Sequence, residues 1–278
     1  KPERVPGKKN PRLFLCGPHL DMFPPAYPED AYVVRDSIEA VNAVLQNIKD
    51  GASAIKVYFR LPPVLIRVVC NMEAIEAGLD GVEHITSFGL SLQSKRAGEK
   101  YRQLVLSDNN ARKQGRYDAW KSIDTNSAMA DSLNNFLVRK GTFVSPTLGA
   151  FEYQPGKDST DTVKLTGFNN MKAITGKMKK AGVRVVVGSH SNIPYAEFGW
   201  AFQREMELLV ECGLSPSEVI VAATMENARY FRIADRLGSI EKGKIADLVL
   251  VKGNPLENIS ATRNIERVML NGKWVGEE

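Results

Sequence analysis

Cysteine is scarce in this 278-residue chain. Cys16, Cys70 and Cys212 show no Cys-x-x-Cys and no paired spacing, which excludes a disulfide framework and leaves three small residues suited to burial. No apolar run is long enough to span a bilayer. No secretory leader is visible, so the expected location stays open between cytoplasm and a secreted or periplasmic setting after leader removal. A Gly-rich phosphate loop, a Walker pattern and a Gly-x-Ser-x-Gly elbow are all missing, which removes the usual signatures of nucleotide hydrolysis and serine-elbow chemistry. Charge of one sign is missing too. The net charge is only +5, and Lys and Arg are mixed with Asp and Glu apart from a basic cluster at Lys1, Arg4, Lys8 and Lys9. A mixed solvated surface follows, with a small molecule as the expected partner and neither nucleic acid nor membrane. Histidine is rare: His19, His84 and His190 are the three in the chain.

What is present is ordinary globular material, 43% hydrophobic and 25% charged, in a length that suits one large α/β domain with or without a small satellite. Short apolar runs alternate with stretches of helical period. Arg12 to Gly17 reads as a strand, followed by a Pro-rich loop from Pro18 to Pro28. Ser37 to Lys49 carries Ile38, Val41, Val44, Leu45 and Ile48 at helical spacing, with Ser37 as the cap and Asp50-Gly51 as the stop. Ala54 to Tyr58 is a second strand. Met72 to Ala77 is helical, Leu79 to Ile85 a strand, Leu92 to Tyr117 a long polar helical region, and Asp131 to Arg139 a helix. Thr142 to Thr147 is a strand, Gly167 to Ala181 a helix, Val183 to Gly188 a strand and Phe202 to Cys212 a helix. Ser215-Pro216-Ser217-Glu218 opens another helix with a capping box and proline at its first position. Strand, helix and strand without alternation is the grammar of a parallel sheet covered on both faces. Beyond Arg232 the pattern becomes short strands with Gly turns, including an Asn271-Gly272 hairpin turn. This predicts a barrel-type domain over 1–232 and a β-rich part over 233–278.

One interval is too short. A strand–helix–strand repeat takes roughly 30 residues, yet between Lys56 and His84 lie pieces of two successive helices, Pro62 to Val69 and Met72 to Ala77. Two helix pieces with no strand between them break the grammar. Either a segment has been deleted, or the sequence joins Cys70 to Asn71 across an omitted segment. Omission is the preferred expectation, because a parallel sheet without inner strands would leave edges unpaired.

Three passages carry a family likeness: Gly81-Val82-Glu83-His84, Gly182 to Ser191, and Gly238-Ser239-Ile240-Glu241-Lys242-Gly243-Lys244-Ile245-Ala246-Asp247. Together with Ala54-Ile55-Lys56-Val57-Tyr58 they resemble the amidohydrolase superfamily, in particular its imidazolonepropionase- and prolidase-like members. The resemblance implies an α/β fold, a distorted TIM-type (β/α)8 barrel lacking some strands in this chain, with a small β-sandwich tail. It implies a metal-dependent hydrolase that attacks an amide, peptide-like or cyclic C–N bond with a metal-activated water. It implies one or two divalent ions, zinc the first expectation, and a homo-oligomer. The family's N-terminal His-x-His pair has no counterpart here.

By the same resemblance His84, at the end of its strand, is a metal ligand. Lys56 is a second, carboxylated in many members; a lysine amid Ala, Ile and Val is costly unless paired or modified. His190 marks a departure. Gly188-Ser189-His190-Ser191 stands where the family has Gly-Thr-Asp-Ser, so His190 is a substituted base, a substituted ligand or the mark of lost catalysis. Tyr58, Arg60, His19, Thr147 and Tyr195 are candidate substrate contacts, Tyr58 and Arg60 for an anionic or amide group, with Glu197 beside them. Asn227, Arg229, Gly238, Gly243, Lys244 and Asp247 are structural, the first two holding the last barrel helix against the tail. Two rivals stand beside the hydrolase: a catalytically inactive barrel that binds a ligand or partner, and an isomerase or lyase using Lys56 as base or Schiff-base amine.

Overall fold

The computed structural model describes residues 15–58, 80–157 and 161–276. Arg60, the helix expected at Met72 to Ala77, the Cys70–Asn71 junction and the first residues of the strand expected from Arg12 lie outside them. Among the described residues the parallel strands form two sheets. In one, β1 (His19–Asp21) pairs with β2 (Ala31–Val33). Single parallel bridges also join Cys16 to Ala54 and Leu20 to Val57. In the other, β3 (Gly81–Glu83), β4 (Phe143–Ser145) and β5 (Arg184–Val185) lie side by side in that order. An antiparallel sheet follows near the C-terminus: β6 (Leu248–Val251), β7 (Ile265–Leu270) and β8 (Lys273–Trp274). Asn271 and Gly272 both take positive φ in the β7–β8 turn, as a two-residue hairpin turn requires. The Asp247 carboxylate accepts from the Asn271 N–H at 2.8 Å and ties that turn to the foot of β6.

Among the described residues the helices are α1 (Ser37–Lys49), α2 (Lys95–Ser107), α3 (Asn109–Lys121), α4 (Ala128–Lys140), α5 (Thr162–Lys180), α6 (Ala201–Glu211), α7 (Pro216–Ala223) and α8 (Met225–Tyr230). Local chemistry explains their ends. Ser215 caps α7 in a complete capping box with Glu218, and Gly141 ends α4 in the left-handed conformation. The larger core lies between β3–β5 and helices α4 to α7, with Leu137, Val144, Met171, Ile174, Leu208 and Val219 among its buried residues. Each such side chain contributes about 1.5–3 kcal/mol of transfer free energy.

Three expectations are corrected. The Pro-rich loop expected from Pro18 to Pro28 holds β1, because Leu20 exchanges backbone bonds with Lys56 and Tyr58 at 2.9 and 2.8 Å; proline is tolerated just ahead of the strand. The cap of α1 is Asp36, whose side chain accepts from the Glu39 N–H, with Ser37 inside the helix. Of its apolar stripe, Ile38, Val41, Leu45 and Ile48 are exposed and Val44 is partly buried, while Ala40, Ala43 and Asn47 are buried. The small side chains allow close approach to β1, and Asn47 donates to the Pro18 carbonyl at 3.0 Å. Finally, the helical region from Leu92 breaks into α2 and α3 at the extended Asp108, a residue type that competes poorly for helix interiors.

Gly176 shows how tightly α5 and α6 are joined. A Cβ there would overlap the backbone carbonyl of Cys212, just past the end of α6. A backbone oxygen has no rotamer to escape into, so Gly176→Ala is expected to destabilise the fold by at least about 1–3 kcal/mol. Urea unfolding measures this; an unchanged midpoint would show that the two helices can part freely.

Candidate active site

Three expected site residues lie at the C-terminal ends of neighbouring parallel strands: His84 after β3, Thr147 after β4 and His190 after β5. In β/α architectures such ends carry chemistry. His84 and Thr147 also share an unusual backbone. Their φ angles are 68° and 50°, in the left-handed region that non-glycine residues seldom enter and that costs of order 1–3 kcal/mol. The two strained residues bind each other: His84 Nδ1 lies 2.7 Å from the Thr147 hydroxyl. The His190 ring lies 5.1 Å from that of His84, tilted by 30°. Phe151 packs edge-on to His84 at 6.1 Å, and the Arg116 guanidinium stands 5.1 Å over the Phe151 ring.

The electrostatics favour neutral imidazole. His190 is exposed at the surface, yet partial desolvation, and then the positive charges of Lys56 and Arg116, hold its pKa below its ordinary 6.5. Glu83, at the end of β3, goes the other way: burial raises its carboxyl, against the opposing influence of Ser145, Lys56 and Tyr230. Gly188 makes this crowding possible, since a Cβ there would overlap the Ser145 hydroxyl and stand 3.9 Å from Glu83 Oε2.

His19 is corrected from a loop residue to a buried strand residue, 6% exposed. Its ring packs 4.8 Å from Tyr58, and Nε2 has no hydrogen-bond partner while lying 4.0 Å from Asp21 Oδ2. Burial lowers its pKa, with Asp21 raising it and Lys56 lowering it further. Lys56 therefore acts electrostatically on His19, Glu83 and His190 together, and its Nζ stands 6.0 Å over the Tyr58 ring. Tyr195 lines an open cleft of about 410 Å³ with Lys113, Tyr117, Tyr153 and Lys164, and its hydroxyl accepts from the Gln154 N–H at 3.3 Å. The Tyr117 hydroxyl, on the same cleft, donates to the Phe151 carbonyl. Glu197 is exposed and its carbonyl accepts from the Trp200 N–H ahead of α6. Asn227 donates to the Val187 carbonyl at 2.9 Å, so it grips the strand end leading to His190 rather than the tail. The tail is instead tied to α6 by a bidentate ion pair of Arg263 with Glu207.

For a divalent cation these residues fit in kind, with two neighbouring imidazoles, one of them oriented by a hydroxyl. They fall short in number. Among the described residues no three His, Cys, Asp or Glu side chains are placed to hold an ion, whereas catalytic zinc takes three protein ligands and water.

Sequence reasoning missed Glu83 and Glu205. Glu205 on α6 is fully buried, and its two oxygens accept from the Leu148 and Gly149 N–H groups, each at 2.8 Å. Its signal was a carboxylate on the 201, 205, 208, 209 stripe of α6, whose other members are buried and apolar.

The model of the amidohydrolase family matches residues 128–275, more than half of the chain. No curated protein matches it by sequence. Among solved structures it resembles a Xaa-Pro dipeptidase with methionine bound in the active site, at 24% identity and TM-score 0.59, over 91% of this chain and 61% of that one. It resembles the bottromycin amidohydrolase at 18% identity and TM-score 0.64, over 95% of this chain and 64% of that one. It also resembles the A. niger ochratoxinase at 18% identity and TM-score 0.61, over 88% of this chain and 56% of that one. The chain thus spans less than two thirds of each of these three. At such identities the likeness speaks for the fold alone, an α/β one. No described helix is long and apolar enough to cross a membrane.

Proposed function

The chain belongs to the amidohydrolase family, and on that premise we propose that it hydrolyses an amide or peptide-like C–N bond where His84 and His190 face each other. The observation that carries this reading is the pairing of the two imidazoles, one anchored by Thr147, at the ends of adjacent parallel strands. His84 would hold a divalent cation, zinc by first choice; Lys56 would join it only if carboxylated, and would then no longer be a cation beside His190. Such an ion, when bound, polarises the scissile carbonyl and makes water more acidic.

The protein's own groups do the rest. The Thr147 hydroxyl fixes which nitrogen of His84 faces the site. His190, kept neutral by partial desolvation and by two positive charges, accepts a proton from the attacking water and returns it to the leaving nitrogen. Lys56, as an ammonium, and Arg116 lend the site positive charge suited to an anionic substrate group. Tyr58 and His19 on one side, and Tyr195 with the cleft of Lys113 and Lys164 on the other, offer surfaces for the two halves of the substrate. A second reading, a barrel that binds without hydrolysing, draws support from His190 in place of the family's aspartate.

The test is amine release from dipeptides and N-acyl amino acids by protein whose intact mass has been measured. We expect hydrolysis that a chelator abolishes and zinc or manganese restores. Binding of the same compounds without any cleavage, metal-loaded or not, would favour the second reading.

A further inference from the structure

Glu205 occupies a place that packing alone would give to an apolar residue. Its neighbours on the buried face of α6 are Ala201, Leu208 and Leu209, and its own exposure is 0%. A carboxylate in such surroundings is costly unless it is bound. It is bound by two backbone N–H groups, those of Leu148 and Gly149, one to each oxygen. When the carboxyl is ionised these are charge-assisted bonds, roughly twice as strong as neutral ones. They fall on the first residues of the 3-10 turn Leu148–Phe151, immediately after Thr147.

The far end of that turn is held from the same helix. Arg204 donates from Nη2 and Nε to the Glu152 carboxylate at 2.6 and 3.0 Å. Two successive residues of α6 thus clamp both ends of one turn. Strained backbone persists where its surroundings over-determine it, and Thr147 with φ 50° opens this turn. We infer that Glu205 is a positioning residue: its carboxylate sets the Thr147 turn so that the threonine hydroxyl meets His84 Nδ1 and fixes that imidazole. No part of the hydrolytic reading above uses Glu205, and the inference rests on that reading only in taking His84 as part of the site.

Glu205→Gln keeps the shape and the length. Its amide oxygen can accept from one N–H, while its NH2 faces the other, so the turn loses half of its anchor. The readout is the pair of imidazole 15N chemical shifts of His84, resolvable in a chain with three histidines. In Glu205→Gln the His84 shifts move away from their parent values as the Thr147 contact loosens, while those of His19 stay put. Gly272→Ala serves as the control, strained by its positive φ in the β7–β8 turn; its His84 shifts stay as in the parent. If Glu205→Gln does not fold, Glu205→Asp keeps the charge, withdraws it by one methylene and must show the same displacement. His84 shifts unchanged in a folded variant, or moved equally by Gly272→Ala, overturn the inference whether or not the protein hydrolyses anything. Where hydrolysis is measurable, kcat falls about 10–100-fold with KM held; a change confined to KM speaks against positioning.

Discussion

His190→Ala is expected to lower kcat/KM for amide hydrolysis by about 10²–10⁴-fold, the range seen when a positioned acid–base group is removed. The expectation follows from where the side chain stands and what surrounds it. It follows β5, beside the His84 ring at 5.1 Å, and partial desolvation with Lys56 and Arg116 keeps its pKa below 6.5. A base must be unprotonated to accept a proton, so this histidine is ready at neutral pH, and the rate falls only as pH drops through the lowered value. The same shift has a stability consequence of fixed sign. The folded state binds this proton less readily than the unfolded one, so stability is lost as pH falls below about 6.5. His190→Asp separates two accounts of the residue. If the histidine substitutes for the family's carboxylate, the aspartate variant recovers most of the rate that alanine loses. If His190→Ala retains kcat/KM within a few-fold of the parent, the proton goes elsewhere and His190 is a contact, not a base.

The site was half legible in the sequence, and the division has a physical cause. His84 and His190 could be placed at strand ends because a strand end is written in neighbouring residues, but it was the family resemblance that singled them out as site candidates. The α7 capping box could be read for the same reason, since Ser215 and Glu218 satisfy each other within one turn. What could not be read depends on contacts across long stretches of chain. The His84–Thr147 bond joins residues 63 apart, and the Glu205 contacts reach across 57 and 56. Glu205 sits in Glu-Met-Glu, where one glutamate is buried and the next, Glu207, binds Arg204 and Arg263; composition does not tell the two apart, though helical phase does. For α1 the period was read correctly, but period alone does not say which side packs. That was decided by the small Ala40 and Ala43 and by the bond from Asn47 to Pro18. His19 was misplaced because the prolines from Pro18 to Pro28 outweighed a three-residue strand whose partners are Ala31–Val33 and Val57.

Glu205 should also leave its mark on how stability varies with pH. Burial raises its carboxyl to about 7 from 4.5, with the Gly149 and Leu148 N–H groups and Arg204 pulling it down and Glu152 adding to the rise. Between those two values the folded state holds a proton that the unfolded chain has released. Unfolding free energy therefore falls as pH rises through the window, by up to about 3 kcal/mol from this group alone at about 1.4 kcal/mol per pKa unit. Other groups titrate nearby with different signs: Glu83 is raised as well, while His19 and His190 are lowered. The difference between the parent and Glu205→Gln removes them. At about pH 4 both side chains are largely neutral, folded and unfolded, and the difference reflects hydrogen bonding alone; toward about pH 8 the parent bears the cost of a buried charge that the variant does not. Urea unfolding at intervals across that range should show the parent losing ground to the variant by as much as about 3 kcal/mol. A difference that stays flat would mean that the two N–H donors fully offset burial, and that Glu205 is ionised throughout. A sloping difference would mean that the chain keeps at the heart of α6 a carboxylate that weakens the fold at neutral pH, a cost that a buried leucine would avoid and that the anchored Thr147 turn explains.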